Sequence, residues 1–360
     1  MPSGAWNRLC LRMHGGEPRR RRTRLLDAGR RHHTDSARRR GGSSPGHPCR
    51  RAPTAQPMTD ADENDYPATE GDLSRSDVVV IRACLRELAS VAERTVHTVT
   101  AVRDVPTGSP IYDLSVMELL GSQRLFTGAH TAVHLVVLSA ASHIKSFVTV
   151  MSSTNTTTAS ATLARGVIEA LSKAYYLLHT PDARTFLQRY VALQAYEFGA
   201  MKRSSFQDAD GNLVQAEQHV KELEHILERA EIPLLHPRHD RVNVTTMVHT
   251  LLEASADLDP GLAGGLYSEL SGIAHGNSNS IAMFQRPDSP APRLRLPRGR
   301  VLEQAGMCLG SLVTVIDAYV ALHEPPAAVS ERWHDALARS NHALLQLQST
   351  LEDINGPRPT

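Results

Sequence analysis

The segment 267–277, YSELSGIAHGN, holds the residues of this 360-residue chain best spaced for chemistry. Tyr267, Ser271 and His275 stand four apart, so on a helix they form one polar stripe. Leu262, Ala263, Leu266, Leu270, Ile273 and Ala274 form the apolar face beside it. A phenol, a hydroxyl and an imidazole in a row supply donors, acceptors and one group that titrates near neutral pH. Polar groups flanking a buried face need partners. A purely structural reading also accounts for them. His275 in the last turn complements the negative end of the helix, Gly276 terminates it, and Ser268 and Gly272 make room for neighbours.

The natural partner is the helix expected over 159–179. There Arg165 and Glu169 lie one turn apart, with Ser172 and Tyr176 continuing the stripe, while Leu163, Val167, Ile168, Leu171 and Ala174 face the other way. Two arrangements are open. The stripe is a solvated face, with an ion pair contributing a few tenths of a kcal/mol. Alternatively, helix 159–179 packs beside helix 260–275, and Arg165 or Glu169 comes within hydrogen-bond reach of Tyr267, Ser271 or His275. We expect the second, because a half-buried polar stripe is costly unless another helix answers it.

Other constellations are poorer. His130 and His134 have the i,i+4 spacing of a metal pair, but no Glu stands between them and the sequence points to no third ligand. His236, His239 and Asp240 lie in a proline-containing loop, and Glu217, His219, Glu224 and His225 belong to a charged, solvated helix. Cys10, Cys49, Cys84 and Cys308 form no CxxC pair, which argues against a disulfide framework or structural zinc. Phosphate-cradling glycine loops and nucleophile elbows are missing. The expectation is no metal and no cofactor.

The elements that must position these residues are helices. Aromatic residues make up only 4% of the chain, so aliphatic side chains and Ala build the core, which favours helix-on-helix packing. Helical periodicity runs over 77–103, about 113–151, 159–179, from a Thr180 cap with Pro181 to about 203, 213–231, from an Asn243 cap to Ser255, and from Asp259–Pro260 to Gly276. Two long helices, 299–323 and 327–354, finish the fold around Pro325 and Pro326. Residues 208–212 (DADGN) read as a turn, and 277–297 as irregular, with a short extended piece at 280–284. No strand set is large enough for a sheet. The expected fold is all-α: a bundle of about eight helices over 76–355.

Charge divides the chain. Residues 1–57 carry 14 Arg, no Lys and three acids, for a net +11, and residues 58–360 carry a net −10. The first 57 residues have no apolar period and read as a disordered leader. A nucleic-acid arm, a targeting peptide and upstream DNA translated from a misplaced start all fit. The abrupt change at Met58 favours the last, with 58–75 an acidic disordered segment. An acidic body speaks against a nucleic-acid surface. The apolar stretches 132–150 and 301–322 contain His134, His143, Lys145, Glu303 and Asp317, so they read as buried helices rather than membrane spans. The cytoplasm is the expected compartment.

ARGVIEA at 164–170, followed about a hundred residues later by YSELSGIAHGN, resembles the pattern of uncharacterised bacterial helical families related to HEPN-type domains. The resemblance covers roughly residues 113–323. It implies an all-helical fold with an Arg-x-x-x-Glu helix set against a Tyr…Ser…His helix. In HEPN ribonucleases an Arg precedes the His by four to six residues on the same helix; here those positions hold Ser271, Leu270 and Glu269. Two functions follow as expectations. The first is a non-catalytic module binding a protein or small ligand through Arg165, Glu169, Tyr267, Ser271 and His275, with a homo-oligomer also open. The second is a metal-independent ribonuclease of a toxin or phage-defence type, with His275 as acid or base, Arg165 stabilising phosphate charge, and RNA as the partner.

Overall fold

The computed structural model describes residues 75–102, 109, 111–112, 124–152, 158–199, 205–207, 211–235, 242–256, 260–282, 284 and 298–353. The leader 1–57, most of the acidic segment 58–75, the Pro106–Pro110 break and the His236, His239 and Asp240 loop fall at least partly outside these residues. Among the described residues the fold is all-α apart from one small hairpin. The elements are α1 (Arg75–Thr100), α2 (Arg124–Met151), α3 (Ala159–Leu178), α4 (Ala183–Gly199), β1 (Ser205–Gln207), β2 (Leu213–Gln215), α5 (Ala216–Arg229), α6 (Val244–Ala256), α7 (Pro260–Ala274), α8 (Ser278–Ala282), α9 (Arg298–His323) and α10 (Ala327–Asp353).

The central element is α3, which packs against α2, α6, α7 and α9. Its composition explains the position. Ala161, Ala164 and Ala174 let neighbours approach closely, and Val167, Ile168, Leu171 and Leu177 fill the space between; all seven are fully buried. On the far side, α1 packs against α2 and α10. Trp333 of α10 is fully buried there and donates its indole N–H to Thr95 Oγ1 of α1 at 3.2 Å. Helices α2 and α9 are long and apolar enough to cross a bilayer by length and composition, and both contribute to the bundle core through residues such as Val137, Ile144, Leu312 and Ile316.

Several local expectations are corrected. The segment before α5 is not helical: β1 and β2 pair antiparallel, with Phe206 opposite Val214, so residues 213–215 are a strand, entered from a bend at Gly211, and not the first turn of a helix. Gly211 takes φ +82°, a conformation other residues resist. Helix α4 is capped not by Thr180 but by Asp182, whose Oδ1 accepts the Thr185 backbone N–H at 2.8 Å. Its carboxylate reaches the first free amides, which Thr180 lies too far upstream to do. The stretch from Ser278 to Ala282 is a short helix rather than extended chain. Asn279 donates its backbone N–H to Asn277 Oδ1 at 3.0 Å, a side-chain turn that starts it. With α8 added to the nine periodic segments, the described residues hold ten helices, in the all-α bundle expected. The Asn243 cap is present, its Oδ1 accepting the Thr245 N–H at 2.8 Å.

Candidate functional site

The two polar stripes meet. On α3, Arg165 Nε donates to Glu169 Oε1 at 2.7 Å, and Arg165 Nη1 donates to His275 Nε2 at 2.8 Å. Tyr267 of α7 donates its hydroxyl to the same Glu169 Oε1 at 2.6 Å. The guanidinium carbon also sits 5.9 Å from the centre of the Tyr267 ring. One carboxylate oxygen thus joins the cation to the phenol, and the cation carries the network on to the imidazole. Arg165 and Glu169 are part-buried, with side-chain exposures of 20% and 27%, Tyr267 is buried, and His275 is exposed. The cluster therefore runs from the α3/α7 seam to the surface.

Local sequence explains how α7 delivers His275. The backbone N–H of Gly276 bonds to the Ile273 carbonyl at 3.0 Å, and that of Asn277 bonds to the Gly272 carbonyl at 2.8 Å. With Gly276 at φ +72°, this is a Schellman ending. It ends the helix at Ala274 and makes His275 the C-cap, so the imidazole stands at the helix end, within reach of Arg165.

The electrostatics follow the bonds. Burial pushes the Tyr267 phenol up to about 12, and the hydrogen bond and charge of Glu169 add to the effect, against an opposing pull from Arg165. Tyr267 is thus a neutral donor across the physiological range. Burial works against the Arg165 charge, but the bond and charge of Glu169 outweigh it and raise its pKa above the ordinary value. The charges of Arg165 and Glu169 cancel locally. Two of the five guanidinium N–H groups are spent on Glu169 and His275, leaving donors for a further acceptor. Because Arg165 can only donate, the bonded Nε2 of His275 is an acceptor, and the ring proton lies on Nδ1.

Of the residues picked out in the sequence, Arg165, Glu169, Tyr267 and His275 converge, and Ser271 contributes differently. The Ser271 carbonyl accepts the His275 backbone N–H at 3.0 Å, and its hydroxyl takes no part in the four-residue network. Ser172 turns back to the Glu169 carbonyl at 2.8 Å. Tyr176 lies under the guanidinium of Arg189, 5.1 Å from its ring centre. Two histidines not assigned to the site flank it. His249 of α6 meets the Tyr267 ring edge-on at 6.3 Å, and a Cβ on Gly264 would lie 3.2 Å from it. His143 of α2 lies where a Cβ on Gly166 would be 3.5 Å away. The small residues opposite them were the available sequence signal.

Glu269 belongs to a neighbouring ion cluster. Arg300 Nη1 of α9 lies 2.6 Å from Glu269 Oε1 and 2.5 Å from Glu303 Oε2, tying α7 to α9. On α5, Glu217 pairs with Lys221 at 2.9 Å on an exposed face, and His225 lies 3.8 Å from Glu228. Cys84 and Cys308 are free, buried thiols, each pushed up to about 12, in both cases first by burial.

The His130–His134 pair does acquire a third member. His323, the last residue of α9, stacks on His130 with ring centres 4.7 Å apart, and the His130 and His134 rings are 4.3 Å apart. Tyr319 stacks on His323 at 4.0 Å, and its hydroxyl lies 2.8 Å from His134 Nε2. Burial, then the neighbouring His130, pushes the His323 imidazole down to about 3, so the ring is neutral in the fold. No family model, curated protein or solved structure matches this chain.

Proposed function

We propose that the chain is a non-catalytic, cytoplasmic helical module that binds a protein or small-ligand partner at the surface end of the α3/α7 cluster. The supporting observation is the 2.8 Å bond from Arg165 Nη1 to His275 Nε2, with Arg165 held from behind by Glu169. That bond occupies the imidazole lone pair which a general base would need. What remains toward solvent is a set of donors: unused guanidinium N–H groups and the His275 Nδ1–H. Donors of this kind recognise a carboxylate, phosphate or carbonyl oxygen.

A second reading has one observation in its favour. Arg165 reaches His275 from another helix and brings a cation to the position that HEPN-type ribonucleases supply from the histidine's own helix. The metal-independent ribonuclease therefore stands as the alternative, with His275 as acid or base and Arg165 opposite phosphate.

One experiment separates the two. Purified protein and its His275→Ala variant are incubated with RNA in the presence of chelator. The expected result is intact RNA with both proteins, and a variant less stable by about 1 kcal/mol from the lost hydrogen bond. Cleavage that disappears in the variant would establish the ribonuclease. In parallel, acetate and inorganic phosphate serve as probes of the acceptor class. His275 imidazole resonances should shift in the wild type, and the response should be lost in Arg165→Ala.

A further inference from the structure

We propose that His130, His134 and His323 form a binding site for a divalent transition metal of the zinc class, separate from the α3/α7 cluster. One ring nitrogen from each histidine lies within 4.8 Å of the others. Nitrogens around a tetrahedral zinc ion stand about 3.3 Å apart, given Zn–N bonds of about 2.0–2.1 Å. Small side-chain rotations would close that gap without moving the helices.

The orientation of His323 is the strongest observation. Its Nδ1 lies 2.9 Å from the Tyr319 carbonyl, and a carbonyl can only accept, so Nδ1 carries the proton. The lone pair is then on Nε2, which is buried and has no hydrogen-bond partner. His323 as a whole is 1% exposed. A buried acceptor left bare is costly, and an N–H given to a carbonyl is the arrangement that orients a metal-binding imidazole.

The surroundings suit a cation. His323 closes α9, and Tyr319 donates its hydroxyl at 3.3 Å to the carbonyl of Val99, in the last turn of α1. Two helix C-terminal ends, each with partial negative charge, thus converge on the three rings. Tyr319 lies flat on His323, 10° from parallel, and reaches His134 Nε2 with its hydroxyl, which restrains both rings. Three imidazoles with no carboxylate among them select a borderline ion such as zinc, cobalt, nickel or copper over magnesium or calcium. Three protein ligands leave a fourth position for water, and half-buried His134 marks the open side.

The test uses the full chain, stripped with chelator and titrated with Co(II), then with Zn(II) in competition. We expect one Co(II) per chain at micromolar affinity or tighter, with the intense visible absorption of a four-coordinate ion, displaced by Zn(II). His134→Gln and His323→Gln should each weaken binding by at least about tenfold. His275→Ala and His249→Gln should leave it unchanged. Absence of binding by the wild type overturns the proposal. So does binding of equal strength in both cluster variants, which would mean an adventitious ion only, held by other histidines among the 18 in the chain. Circular dichroism checks each fold. If His323→Gln fails to fold, His134→Gln decides, because that ring lies at the half-buried edge and Gln retains a polar group for Tyr319.

Discussion

Glu169 Oε1 is the busiest atom of the α3/α7 cluster, accepting from Arg165 Nε and the Tyr267 hydroxyl. Its negative charge helps keep the phenol protonated, so Glu169→Gln should lower the Tyr267 pKa from about 12 toward the ordinary 10. Tyrosinate absorbance titration, with Tyr267→Phe subtracted to isolate one phenol among eight, reads this directly. An unchanged pKa would assign the whole shift to burial. The linked stability has a definite sign. The folded state holds this proton more tightly than the unfolded chain, so the contribution is complete below pH 10 and is lost as pH rises toward 12. Denaturant midpoints across that window should fall less steeply in Tyr267→Phe than in the wild type. The participation of Tyr267 and His275 was legible from four-residue spacing. That the Ser271 hydroxyl stands outside the network was not, because spacing gives a shared face but not which members a partner side chain reaches.

At the scale of elements, the order of the bonds shows how α3 and α7 cross. Arg165 precedes Glu169, yet it bonds to the later residue, His275, while Glu169 bonds to the earlier one, Tyr267. The helices therefore run in opposite directions along this contact. Beyond the end of α7 the chain folds back tightly into α8. A Cβ on Gly272 would lie 2.2 Å from Ser280 Oγ and 3.1 Å from Ser280 Cβ. Replacing Gly by Ala in a helix ordinarily gains about 1 kcal/mol. Here the overlap should reverse the sign, and Gly272→Ala should destabilise by about 1–3 kcal/mol in urea unfolding. Adding Ser280→Ala removes the worst contact and should restore most of the loss. A stabilised Gly272→Ala single variant would mean that α8 yields without resistance. The turn after α7 was legible as Gly276, but the helix that follows was not. Five residues are too few to display a period, and α8 has no buried residue to mark a face.

At the scale of the whole molecule, α1 and α10, distant in sequence, are joined by Trp333. Its ring is fully buried and its N–H is satisfied by Thr95. Trp333→Ala should cost about 3–5 kcal/mol through the cavity left between the two helices. Trp333→Phe should cost less, since it keeps most of the volume and loses only the indole donor. Equilibrium denaturation of both variants checks the order. Equal stability of Trp333→Ala and wild type would show that the α1/α10 contact contributes little to the bundle.

The all-helical class and most helix boundaries were determined by the sequence itself, because each rests on interactions a few residues long: apolar period, Asn243 and Gly276 at helix ends, prolines between helices. The β1–β2 hairpin escaped for the opposite reason. Its strands are three residues each, and only pairing across the turn identifies them. Sites split along the same line. Arg165 with Glu169, and Tyr267 with His275, are local pairs and were visible; their union across 110 residues was an expectation that only packing made real. His130 and His134 were visible as a pair, but His323 lies at the end of a helix remote in sequence, and nothing local distinguishes it from the chain's other histidines. Tertiary structure alone brings it to 4.7 Å from His130, because α2 and α9 must both bury their apolar faces in one core.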